Sequence, residues 1–183
     1  MTEFDRQAAA LGLPAVLAEP LRDAAAVAEP SDEGRIPFLL ISRVAPPLDA
    51  LGRIGGATSM LDAGDLARWR PIDGLRVPPG AAHLALDVDL GDATRGLAPD
   101  DALALLAAEE RSPLTLEEGI ALVASHPEVV YRNHGVQFPG SRCGDRRVTA
   151  IWLSQGRHKL GWCWAGNPHS WLGMPSCAAR WGA

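Results

Sequence analysis

Residues 81–91, AAHLALDVDLG, set a large apolar side chain at every second position from Leu84 to Leu90. Successive side chains of a strand point to opposite sides, so Leu84, Leu86, Val88 and Leu90 share one face and His83, Ala85, Asp87 and Asp89 the other. Such a strand wants a core on one side and water on the other, the habit of antiparallel sheets. The segments around it set the fold class. Residues 3–27 are rich in Ala and Leu but carry Pro14 and Pro20, which break a helix interior, so two or three short helices are expected. RIPFLLISRV, residues 35–44, is an apolar run of strand length, and APPLDALGRIGGATSM, residues 45–60, reads as a loop. DAGDLARW is a short helix that Asp62 can cap.

Further on, APDDALALLAAEE opens with acids at the positive end of a helix. TLEEGIALVASHP begins with a capping box, Thr115 with Glu118, and stops at Pro127. VTAIWLSQGRHKLGWCWAG reads as a β-hairpin turning at Gln155-Gly156-Arg157, followed by an irregular tail. Helices and strands that come in separate runs argue for α+β rather than a doubly wound sheet. The expectation is a single domain with a mixed or antiparallel sheet. It divides into a helical segment over residues 1–30 and an α+β body over residues 35–183, joined by the turn-forming EPSDEGR.

Charge excludes some functions. A formal net charge of -5 with 17 Lys and Arg in no block is a poor match to a phosphate backbone, so nucleic acid is not expected as a partner. No apolar run spans a bilayer, and the acidic N-terminus is unlike a signal peptide, so neither a membrane nor export is expected. Three cysteines cannot all pair internally, and reduced thiols in a cytoplasm are the default.

Chemistry-bearing residues gather near the end, in GWCWAGNPHSWLGMPSC, residues 161–177. Cys143, Cys163, His169 and Cys177 are the ligand types zinc prefers, and a zinc ion would order a tail with little else to hold it. Against that stands the absence of any close C-x-x-C pair; single buried cysteines behave as small hydrophobes. Cys143 could instead be a nucleophile. In SRCGDRR the nearby arginines favour a thiolate, with His134 or His169 as base and Asp145 orienting it. That would make a small enzyme of a bacterial, even a secondary-metabolite, pathway, as would a catalytic metal with an open position.

Five of six tryptophans fall after residue 151. Trp162 and Trp164 share one strand face, with Trp152 expected across the hairpin from one of them. With Trp171, Arg146 and Arg147 they would line a cleft for a small molecule, or present an aromatic face to a protein partner, unless they simply fill core. Asp87, Asp89 and Asp92 lack the spacing of a calcium loop and read as a wet strand face running into a turn, answered by Arg76 or Arg95. GRIGGATS lacks the lysine and the spacing of a phosphate loop. His83 falls on the strand's polar face, and His126 at a helix end, where a partly cationic ring suits the dipole.

GSRCGDRRVTAIWLSQGRHKLGWCWAGNPHSWLGMPSC resembles the C-terminal signature of an actinobacterial family catalogued as a domain of unknown function. LTLEEGIALV, IPFLLISR, PIDG and LDVDLGD are similar to earlier parts of that pattern. The resemblance implies one family domain over most of the chain beyond residue 35, in a bacterial cytoplasm, and brings no activity with it. The family pattern has no histidine where RHKLGW places His158, which sets His158 aside as a ligand.

Overall fold

The computed structural model describes residues 1–182. The chain opens with short helices, α1 (Glu3–Leu11), α2 (Ala15–Ala18) and α3 (Arg22–Ala26), broken at Pro14 and Pro20 as the prolines require. Next come β1 (Ile36–Ser42), α4 (Pro47–Leu51), β2 (Thr58–Ser59), α5 (Ala63–Leu66), β3 (Arg70–Pro71) and β4 (Ala82–Val88). Then follow α6 (Pro99–Ala108), β5 (Ser112–Pro113), α7 (Leu116–Ser125), β6 (Gly135–Phe138) and β7 (Ser141–Arg142). The chain closes with β8 (Arg147–Ser154), β9 (Arg157–Trp164), β10 (Leu172–Gly173), β11 (Ser176–Cys177) and β12 (Ala179–Trp181).

The fold is α+β. An antiparallel sheet runs β1-β4-β12, and a mixed sheet runs β10-β6-β8-β9-β2 with parallel pairs at its two edges. Two small pairs, β11-β5 and β3-β7, tie the loops between them. Between the sheets lies α7, packed on β1, α1, α4 and β6. Its capping box forms as the spacing requires: Thr115 Oγ1 accepts from the Glu118 amide, and Glu118 Oε2 accepts from the Thr115 amide at 2.8 Å. Leu116, Ile120, Leu122 and Val123 are buried, each worth about 1.5–3 kcal/mol over exposure. Gly119 lets the helix close on β6, where an added Cβ would stand 2.3 Å from the Phe138 ring.

The β8-β9 hairpin turns through Gln155 and Gly156, both at positive φ, while Arg157 already pairs with Ser154. The open edge of β1 is closed by a side chain. Gln7 donates to Phe38 O at 3.1 Å and accepts from the Leu40 amide at 2.7 Å, taking the place of a neighbouring strand.

Three expectations change. Residues 45–60 contain α4 and β2, because Pro46 and Pro47 sit where a helix start tolerates them. The tail is not irregular: β10, β11 and β12 each find a partner strand. Most consequentially, β4 has no wet face. His83 and Asp87 are buried along with Leu84, Ala85 and Val88, since β4 is the central strand of its sheet and Glu118 and Arg111 meet those two side chains.

Candidate functional site

The buried polar groups of β4 find partners in basic side chains that sequence spacing did not suggest. Asp87, at φ 53°, accepts from the amide and hydroxyl of Ser31, both at 2.8 Å, and from Arg111 Nη1 at 2.9 Å. Arg35 adds a contact at 3.2 Å and also reaches Asp89 at 3.3 Å, while of the two arginines expected to answer these acids Arg95 pairs with Asp92 at 2.8 Å. Burial alone would raise the Asp87 carboxyl, but Ser31 and Arg111 override it and bring its pKa to about 2. At the other end of β4, His83 Nε2 lies 2.9 Å from Glu118, which also receives Arg180 at 2.6 and 2.8 Å. Burial again opposes ionisation, yet Arg180 and His83 hold Glu118 at about 2. A carboxylate can only accept, so His83 donates from Nε2. These networks fasten β4, α7 and β12 together.

Among the described residues no three His, Cys, Asp or Glu side chains are gathered closely enough to hold a metal ion, and Cys143, Cys163, His169 and Cys177 form no such group. All three cysteines are free. Cys143 Sγ donates to Asp145 Oδ1 at 3.2 Å, and Asp145 also takes the amide and guanidinium of Arg147. Asp145 therefore accepts a hydrogen bond from the thiol, which keeps its proton, and orients no imidazole. The Cys143 thiol is raised, by burial first and then by that hydrogen bond, with Arg147 opposing only in part. Burial lifts Cys163 to about 11 and Cys177 to about 12. Iodoacetamide at neutral pH is thus expected to label all three more slowly than free cysteine, followed by intact mass; faster labelling of Cys143 would reinstate it as a nucleophile.

The tryptophans divide between the two faces of the mixed sheet. Trp162 lies opposite Thr149 and Trp164 opposite Arg147, and their rings meet edge-on at 4.7 Å with Arg147 above Trp162 at 5.6 Å. Arg146 is exposed and reaches Asp100 at 3.6 Å. Trp152 is opposite Lys159, on the other face, over Gly161. It crosses no hairpin partner tryptophan. Instead it meets Trp171 at 6.3 Å, nearly perpendicular, and His169 continues the row at 5.7 Å from Trp171.

This second cluster faces a depression of about 280 Å³ lined by Tyr131, Asn133, His134, Trp152, Leu153 and Trp171. Across it the Tyr131 and His134 rings stack at 4.1 Å, held by a tight turn in which each residue's amide donates to the other's carbonyl. Asn133 supplies the positive φ of 59° that the turn needs. Arg95 Nη2 reaches His134 Nε2 at 2.5 Å. An arginine only donates, so Nε2 is the acceptor and the ring proton sits on Nδ1. Burial and then Arg95 lower the His134 pKa, which keeps the ring neutral. With its Nε2 lone pair engaged by Arg95, His134 is left with Nδ1–H as a hydrogen-bond donor. His126 is likewise lowered, by burial and then by Arg6, so it is not the cation that a helix end invites.

Tyr131 and Asn133 were missed from sequence, and Arg95 was read only as a partner for the acids and not for His134. The only signal was YRNH, a turn-forming Asn between two rings.

A family model described as a family of unknown function (DUF5701) matches residues 12–183. No curated protein and no solved structure matches the chain. Among the described residues no helix is long and apolar enough to cross a membrane.

Proposed function

We propose, for a chain that belongs to this family of unknown function, that it is a small-molecule-binding domain whose ligand presents an uncharged ring to the aromatic depression. The observation that carries this is the pair of perpendicular indoles, Trp152 and Trp171, set opposite the Tyr131–His134 stack. Flat rings bind flat faces of a ligand, and His134 Nδ1–H with the Asn133 amide offers the few polar contacts that fix orientation. A binding role suits the groups present better than catalysis does, because His134 lacks a free lone pair and the Cys143 thiol is held protonated. A reducing bacterial cytoplasm goes with this reading, supported by three unpaired thiols.

Titrating the protein with a panel of pyranosides, nucleosides and indoles, read by tryptophan emission, should find a saturable ligand. Trp171→Ala should weaken it roughly tenfold, the equivalent of about 1.4 kcal/mol. Trp164→Ala, on the opposite face, should leave it unchanged. Equal affinity in both variants, or no saturable member of the panel, would sink the proposal.

A further inference from the structure

A larger cavity lies apart from the aromatic depression, between the N-terminal helices and the start of β1. It measures about 650 Å³, within the ~300–1,000 Å³ usual for small-molecule sites. Phe4, Ala25, Ala28, Ile36 and Phe38 make its walls, and the exposed lining is overwhelmingly apolar. The alanines on α3 and just after it leave the space that larger side chains would fill.

Charged groups stand at the rim, yet each is answered within the chain. Arg22 lies over the Phe4 ring at 4.6 Å and pairs with Glu19 and Asp5. Arg35 pairs with Asp87 and Asp89, and Glu3 with Arg6. Thr2 is spent on the α1 capping box. No rim cation is left over for an anionic head, and no polar atom on the alanine wall would orient a heteroaromatic ring.

Ile36 and His126 line both this cavity and a neighbouring depression of about 330 Å³. That depression also contains Asp92, Glu128, Tyr131 and His134, and through the last two it adjoins the aromatic site. The cavity is therefore the apolar end of a track whose far end is polar and aromatic.

We propose that this cavity is a second binding site, which takes the aliphatic chain of an uncharged single-chain amphiphile. Its walls are separate from the aromatic depression; only the idea that one molecule spans both rests on the function proposed above.

Nile red, an uncharged apolar dye, tests the site directly in the full chain. It should bind saturably with one site per chain and be displaced by 1-dodecanol. Dodecanoate, with the same chain and a charged head, should displace it at least tenfold more weakly. Ala28→Trp should weaken dye binding tenfold or more while leaving the melting temperature near that of the parent. Should Ala28→Trp melt early, Ala26→Trp, at an exposed position lining the same space, repeats the measurement. Trp171→Ala should leave dye binding intact, so that loss of ring-ligand binding and loss of chain binding are read independently. Absence of saturable dye binding, displacement by dodecanoate as readily as by dodecanol, or full affinity in a folded tryptophan variant would overturn the proposal. Displacement of the dye only by a protein fraction would overturn it too, in favour of a macromolecular partner.

Discussion

Replacing Glu118 with alanine is expected to lower folding stability by about 3–5 kcal/mol, the range for removing one partner of a buried ion pair. Glu118 is fully buried and accepts from Arg180 twice, from His83 and from the Thr115 amide. Its loss leaves a guanidinium at 5% side-chain exposure without a counter-charge, and it unfastens α7 from β12. Urea denaturation read by far-UV circular dichroism measures the effect, and a loss under about 1 kcal/mol would show that the network is dispensable. The double variant Glu118→Leu with Arg180→Met should recover most of the loss, because apolar residues of similar volume often replace a buried pair without penalty.

The same carboxylate sets the acid limit. Glu118 is held at about 2 against its ordinary 4.5, so its native contacts stabilise the fold fully above pH 4.5. That contribution drains away as pH falls from 4.5 toward 2. Asp87, at about 2 against 3.8, follows the same sign over a slightly lower window. Acid unfolding of the parent should therefore fall within those limits, and it should shallow in the double variant.

Asp87→Ala is the second large effect, about 3 kcal/mol, the low end of the range for breaking a buried ion pair. Arg111, at 7% side-chain exposure, would keep only Ser176 and the Asp87 carbonyl for its donors, and the Ser31 turn would lose its acceptor. The backbone adds a second signature. Asp87 holds a left-handed φ of 53°, which costs a residue with a Cβ about 1–2 kcal/mol. Asp87→Gly should thus be less damaging than Asp87→Ala by about that amount, although both lose the carboxylate. Equal melting temperatures for the two variants would show that the φ carries no strain, and near-parental stability in both would show that the ion pair carries no weight.

Local rules were legible in the chain. Pro14 and Pro20 placed the helix breaks, Asp62 and the Thr115–Glu118 box placed helix starts, and Gln155-Gly156 placed the hairpin. What escaped depends on neighbours distant in sequence. The alternation of β4 is real, but whether its second face meets water depends on Glu118 and Arg111, some twenty to thirty-five residues later, which meet His83 and Asp87. Asp87 therefore looked like a surface acid until Arg111 and Ser31 were placed beside it. The tryptophans were legible as a cluster in sequence and not in space, since strand parity sends Trp152 and Trp162 to opposite sides. Single Cys and His residues carry no spacing rule at all, and Cys143 met Asp145 two residues away rather than a distant histidine.

Gln7 bears on how the protein behaves in concentrated solution. A bare outer strand invites a copy of itself to dock alongside, the first step toward stacked, insoluble assemblies. Here one amide side chain, from a helix lying upstream of the residues the family model matches, occupies those backbone positions. Because α1 also packs on α7 and β1, removing it would bare that strand edge and the core beneath it together.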